Sequence, residues 1–135
     1  MESIKGISLH YYKYSESSVI AKIFTKKYGL QSYVIKGIRN KTSKNKLSYL
    51  HPLNIVSLEI SVNKNKGLPF VKEIRSEHNL SSTYSDMQKK FVCMFISEVL
   101  MRVLMEKETD KKLYNFAEKT IFYFLHEYYN KEDDL

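Results

Sequence analysis

Only one cysteine, Cys93, occurs in the 135 residues, so no internal disulfide can form. A lone thiol fits a reducing compartment, and a cytoplasmic location is expected. Glycine (4) and proline (2) are scarce, which excludes a collagen-like repeat or a flexible linker. No apolar stretch is long and uncharged enough to span a bilayer. No basic segment followed by a long apolar run opens the chain, so no signal peptide is expected. What is present is an apolar content of 43%, sufficient for a real core.

A further absence is regional. Between Ser17 and Leu58 there is no Asp or Glu, while Lys22, Lys26, Lys27, Lys36, Arg39, Lys41, Lys44 and Lys46 all fall there. The segment after Leu80 carries slightly more acids than bases, so the formal net charge of +7 belongs to the N-terminal part. A one-sided basic field attracts polyanions and accelerates their encounter. Nucleic acid is the usual partner; an anionic membrane surface or an acidic protein tail would answer to the same field.

The first eighty residues read as strands. Ile7, Leu9 and Tyr11 alternate with Ser8, His10 and Tyr12; Val19, Ala21 and Ile23 alternate around Lys22. Gln31 to Lys36 follows the turn Lys27-Tyr28-Gly29. Val56, Leu58, Ile60 and Val62 alternate with Ser57, Glu59 and Ser61. Asn63 to Gly67 reads as a hairpin loop, and Leu68 to Arg75 as a fifth strand. Five short strands over residues 1–80 point to a small barrel, with the OB-fold first and an SH3-like barrel as the alternative that periodicity does not separate.

Residues 81–135 read as α-helical. Thr83 with Asp86 resembles a capping box, opening a helix to about Met105. Met87, Phe91, Met94, Phe95, Val99 and Val103 form one stripe; Val92, Ile96, Leu100 and Leu104 form another. Two stripes predict a helix buried on more than one side. Thr109-Asp110 caps a second helix to about Tyr129, rich in Tyr114, Phe116, Phe122, Tyr123, Phe124, Tyr128 and Tyr129. So many rings exceed what one barrel and two helices can cover. The helical part is therefore expected to be incomplete or self-associating.

The candidate site is the basic segment after the third strand. Lys36, Gly37, Arg39, Lys41, Ser43, Lys44 and Lys46 supply the cations, short donors and backbone freedom that phosphate contacts require. The competing reading is a solvated loop. Lys22 points away from Val19, Ala21 and Ile23 and extends the basic face, whereas Lys26 and Lys27 read as turn charges. Tyr12, Tyr14, Tyr33 and Tyr49 are candidates for base stacking, although strand tyrosines also pack ordinarily. His10, His51, His78 and His126 lack metal-ligand spacing, and Cys93 lies in an apolar helix. No nucleophile elbow or phosphate-binding glycine loop is present. No cofactor, metal or catalysis is expected.

The ordered residues resemble a known family. Lys5-Gly6-Ile7-Ser8-Leu9, Tyr14-Ser15-Glu16-Ser17, Phe24-Thr25 and Gly29 look like the start of the bacterial RecO family. Val34-Ile35-Lys36-Gly37-Ile38-Arg39, Ser43 and Pro52-Leu53 are similar to its next block. The resemblance implies an OB-fold followed by an α-helical domain. It also implies binding to single- and double-stranded DNA, annealing of complementary strands and the absence of nuclease or ATPase activity. The partners it implies are RecR and the acidic C-terminal tail of single-stranded DNA-binding protein, with assistance to RecA loading. By position, Lys36, Gly37, Arg39 and Ser43 fall in the segment that resemblance assigns to DNA. The family is richer in Arg there; Asn40, Lys41 and Thr42 intervene here, and Lys grips phosphate less well than Arg. The zinc-binding cysteines of many members would lie beyond Leu135.

Two functions are expected from these residues: a DNA-binding module of recombinational repair, or a protein-interaction module whose basic barrel or aromatic helices hold an acidic peptide.

Overall fold

The computed structural model describes residues 1–39, 46–61, 67–77, 85–104 and 110–133, the last segment with side chains as far as residue 124. Its elements are β1 (Glu2–Lys13), β2 (Val19–Thr25), β3 (Gly29–Ile35), a short 3-10 helix (Lys46–Leu50), β4 (Ile55–Ile60), β5 (Phe70–Ser76), α1 (Met87–Val103) and α2 (Lys111–Asp133). The strands close into a barrel in the order β1-β2-β3-β5-β4. All neighbours are antiparallel except β3 and β5, which meet through Val34–Phe70 and Ile35–Val71. That order and that single parallel contact are those of an OB-fold and settle the choice periodicity left open.

The turn between β2 and β3 is fixed locally. Thr25 Oγ1 donates to Gly29 O at 2.8 Å and accepts from Tyr28 N at 3.0 Å. Gly29 sits at φ 71°, a region that favours glycine, and this lets the chain reverse. β1 serves two partners. Its first half pairs with β4, from Glu2–Ile60 to Ile7–Ile55; its second half runs on with β2 to Lys13–Val19.

The β1–β2 register slips between Ser8 and His10, leaving Leu9 as an extra residue in a β-bulge. Strict alternation would carry Tyr11 to the side of Ile7 and Leu9. Instead Ile7 and Leu9 face the helices while Tyr11 packs against the barrel interior. His10 and Tyr12 thereby stand on the outside, and Ser8 points inward to donate to Leu50 O at 2.9 Å.

Two cores lie on either side of the barrel wall. The inner one contains Ile4, Val19, Ala21, Ile23, Tyr33, Ile35, Leu50, Val56, Leu58 and Ile74. The outer one joins Ile7, Leu9, Phe24, Leu30, Leu53 and Ile55 to Cys93, Tyr114, Ala117 and Ile121 of the helices. Tyr114 meets Phe24 edge-on, with ring centroids 5.4 Å apart at 76°. Leu53 reaches this core from a left-handed conformation, φ 69°, with its N–H donating to Ser8 O at 2.7 Å. Asn54 Nδ2 then ties the connection down, donating to Tyr49 O at 2.7 Å.

The helix starts differ from the expected capping box. Asp86 is itself the N-cap of α1, its side chain accepting from Gln88 N and Lys89 N; Thr83 lies outside the described residues. Asp110 caps α2 as expected, accepting from Leu113 N at 2.9 Å. The expected two-sided burial of α1 is not what the structure has. Of its described residues, Lys89, Cys93 and Ser97 are buried. Met87, Phe91, Phe95, Val99 and Val103 are exposed in one i, i+4 row. The barrel supplies a wall for one side of the helix, and Val92 and Ile96 of the second stripe are exposed as well. No helix among the described residues is long and apolar enough to cross a membrane.

Candidate nucleic-acid interface

The outer face of β2 and β3 can be built from the register. Phe24 pairs with Leu30 and Ile7, and this end lies under the helices. The next row is His10, Lys22 and Ser32; the following one is Tyr12, Ile20, Val34 and Phe70. Lys22 stands half-buried on this face, opposite the inward Val19, Ala21 and Ile23, where alternation put it. Lys36 follows the end of β3, and its ammonium lies 4.3 Å from the centroid of the Phe70 ring. That is a cation–π contact on the edge of the same face.

Gly37 at φ 73° then bends the chain so that Ile38 enters the inner core and Arg39 swings back to the β1–β2 loop. Arg39 N donates to Ser17 O at 3.1 Å and Arg39 Nη1 to Ser15 O at 3.0 Å. One of the five guanidinium donors thus positions the loop, while the side chain remains exposed. Lys46 is exposed at the start of the 3-10 helix. Lys41, Ser43 and Lys44 lie outside the described residues. The structure therefore groups Lys36, Gly37 and Arg39 in one turn, sets Lys22 on the adjoining strand face, and separates Lys46 from them by the segment 40–45.

Lys27 belongs to another arrangement. Its ammonium donates to Glu2, and Tyr28 Oη donates to the second oxygen of that carboxylate at 2.6 Å. The Lys27 contact, then the Tyr28 hydroxyl, hold the Glu2 carboxyl below its ordinary range; the same pairing raises Lys27. Its charge clips the barrel start to the β2–β3 turn.

The four stacking candidates divide. Tyr33 is fully buried in the inner core, and burial pushes its hydroxyl far above the usual tyrosine range. It has no face to offer a base. Tyr49 is half-buried against the same core. Tyr12 and Tyr14 are exposed, at 46% and 62%. Two rings escaped sequence reasoning: His10, whose ring centroid lies 6.3 Å from that of Tyr12, and Phe70, beneath Lys36. His10 is legible from its period-two spacing to Tyr12.

Cys93 is buried beneath the helices, and burial raises its thiol. Among the described residues no three His, Cys, Asp or Glu side chains gather as metal ligands would. Next to Cys93, against the same core, the helical pair holds an apolar cleft of about 190 Å³, lined by Leu53 and Cys93 together with Val92, Ile96, Leu100 and Phe116.

Among the described residues the arrangement brings together cations and rings on a barrel face, with no acid–base or nucleophile pair beside them. Comparison with known proteins bears on what it serves. The family described as Recombination protein O N terminal matches residues 1–79. A protein named DNA repair protein RecO from Flavobacterium psychrophilum is 35% identical over 119 residues, 87% of this chain and 50% of its own length. Its namesake from Flavobacterium johnsoniae is 33% identical over 124 residues, 90% of this chain and 52% of its own. The chain thus spans about half the length of these curated relatives. Among solved structures, the crystal structure of the S. pombe Stn1–Ten1 complex is similar with a TM-score of 0.41 and 16% identity, over 72% of this chain and 75% of that one. With a family match over residues 1–79, more than half of its length, the chain belongs to the RecO family.

Proposed function

We propose that this chain is the barrel-bearing part of a non-enzymatic recombination mediator, binding DNA through its backbone and not through its sequence. The observation that carries this is the acid-free stretch between Ser17 and Leu58, which contains β2, β3 and the turn after β3 and so leaves Lys22, Lys36 and Arg39 without an acidic neighbour in sequence. Lys22, Lys36, Gly37 and Arg39 form one described part of the interface and Lys46, exposed at the start of the 3-10 helix, another; Lys41, Ser43 and Lys44 extend it in sequence. Lysines at this density read phosphate charge, not base edges. Base edges left open in this way are free to pair, which suits annealing of complementary single strands. In the whole protein we assign the accompanying roles to RecR, the acidic tail of single-stranded DNA-binding protein, and RecA loading, in the cytoplasm.

The test is fluorescence anisotropy with a labelled mixed-sequence single strand at several salt concentrations. Binding should weaken log-linearly with salt, with a slope of about −0.7 per phosphate neutralised. Changing Lys36, Arg39, Lys41, Lys44 and Lys46 together to Glu should abolish it while the far-ultraviolet circular dichroism stays native. Retained affinity in that variant would remove the segment from the interface.

A second reading rests on the exposed row Met87, Phe91, Phe95, Val99 and Val103 and on the apolar cleft beside it. An i, i+4 ridge of this kind fits the groove of another helix. We propose that its occupant is a helix supplied by the part of the relatives' length that this chain does not span, in keeping with the α-helical domain that the family resemblance implies. The domain of residues 81–135 is then half of a helical layer. Co-expression with that half of the Flavobacterium johnsoniae relative should give a one-to-one complex. A homodimer that excludes the added half would refute the assignment.

A further inference from the structure

β1 continues beyond the barrel as one arm of a hairpin. Its pairing with β4 stops at Ile7–Ile55, while its pairing with β2 runs on to Lys13–Val19. Tyr14 N donates to Ser18 O at 3.0 Å, so the ladder extends one residue further. Among the described residues no strand pairs with the other edge of His10 to Lys13. The Leu9 bulge sets the phase of this arm, and period two then puts His10, Tyr12 and Tyr14 on one outward face.

These three side chains are exposed, and they alternate in sequence with Tyr11 and Lys13. Two residues of strand rise about 6.7 Å. The His10 and Tyr12 ring centroids are 6.3 Å apart, with planes tilted by 34°. A nucleic-acid base occupies about 3.4 Å of a stack. The two ring centroids thus lie within about two stacking steps of each other, a distance that neighbouring bases of one strand can span. Cations border the row: Lys22 is the cross-strand partner of His10, and Lys13 lies between the tyrosines in sequence. The hairpin loop carries one acid, Glu16. The ordinary role of a strand tyrosine, with its ring packed in the core, is filled here by Tyr11 and not by its neighbours.

Resting on the reading of this barrel as a DNA-binding module, we propose that His10, Tyr12 and Tyr14 form a stacking ladder for the bases of a single strand. Lys22 serves the phosphates alongside. The ligand class is single-stranded nucleic acid with unpaired bases; a duplex, its bases already stacked and covered, engages only the cations. Ring faces hold bases by their faces, so the pairing edges remain open to a complementary strand.

The test uses the full chain with three labelled probes at one salt concentration: oligo-dT, an abasic strand of equal length, and a duplex. The wild type should prefer oligo-dT to the abasic strand. Tyr12→Ala and Tyr14→Ala should each weaken oligo-dT binding about fivefold or more. The abasic strand and the duplex should bind as before, and the salt slope should not change. Tyr12→Phe and Tyr14→Phe should restore binding, because the ring and not the hydroxyl is used. Both tyrosines are exposed, and unchanged melting temperatures would establish that the fold is intact. Wild-type affinity for oligo-dT in both Ala variants, or equal losses on the abasic strand, would overturn the ladder while leaving the phosphate-binding reading in place. Binding of no probe even at low salt would overturn that reading, and the ladder with it.

Discussion

Replacing Gly6 by alanine tests how tightly the barrel is closed. Gly6 lies on β1 between Thr25 of β2 and Val56 of β4, held by ladders on both sides. A Cβ placed there would come within 2.4 Å of Ile23 Cγ2, with Phe24 O at 3.3 Å and Thr25 Cα at 3.6 Å. Carbon atoms in contact prefer about 3.5–4.0 Å, so the overlap exceeds 1 Å. Ile23 is fully buried and branched at Cβ, so its methyl cannot swing aside without leaving its preferred rotamer. The backbone cannot retreat without breaking one of the two ladders. Overpacking of this kind costs about 1–3 kcal/mol, and a doubly anchored site belongs at the upper end. The loss of glycine's freedom in the unfolded chain returns about 0.4–1 kcal/mol. The expected net loss is about 2 kcal/mol, read from the urea midpoint at unchanged m-value. Ile23→Ala removes the obstructing methyl and leaves a cavity of its own. The double variant should therefore be more stable than the sum of the two single losses, by about 1 kcal/mol or more. A Gly6→Ala variant within about 0.5 kcal/mol of wild type, or strictly additive losses, would refute the account; the first is the size of an ordinary surface substitution.

Burial holds the hydroxyls of Tyr33 and Tyr114 above the ordinary tyrosine range. Below pH of about 10 both are protonated in either state and stability is full. Above it the unfolded chain releases protons that the fold retains. Stability should then fall by about 1.4 kcal/mol per pH unit for each tyrosine, measured by urea melts between pH 9 and about 11.5. A flat profile would mean that these rings are reached by water. Lys22→Ala should weaken single-strand binding and lower the salt slope by about 0.7, whereas Lys27→Ala, its partner Glu2 being outside the interface, should leave the slope unchanged. Cys93 should be inert to a thiol reagent such as dithionitrobenzoate in the native protein and react promptly in denaturant, because burial both covers it and raises its thiol. Fast native reaction would place the helices away from the barrel.

Much of the barrel was legible from local pattern. Five strands follow from β-branched alternation and the turn at Gly29, and Lys22 lies on the face that alternation assigned to it. The β1 phase was not legible, because a one-residue bulge leaves composition unchanged and reveals itself only through the partner strand. The parallel meeting of β3 and β5 was likewise invisible, since Val34 and Phe70 are far apart in the chain and strand periodicity carries no direction. Tyr33 shows the limit for single residues. A tyrosine among lysines in a strand reads the same whether its ring points to solvent or to the core, and the parity that decides it depends on register. Helix α1 was recognisable as a helix, but its apolar stripes do not say whether a wall is present to meet them. Lys36 and Arg39 were found from charge. That one lies over a ring and the other is bonded to a loop carbonyl follows from the left-handed turn at Gly37, which glycine permits but does not announce.

The bulge at Leu9 has a consequence for how this molecule can change. Upstream of it, Ile4, Ile7 and Ser8 are buried, and substitutions at these positions are felt by the whole fold. Downstream, the arm takes its alignment from β2 alone, and the outward positions 10, 12 and 14 touch neither core. The extra residue acts as a clutch between the two stretches, so that one can be altered while the other runs unchanged. The tip of the β1–β2 hairpin is thus the part of the chain where a ring can be exchanged for a charge, or a charge for a ring, at little cost in stability.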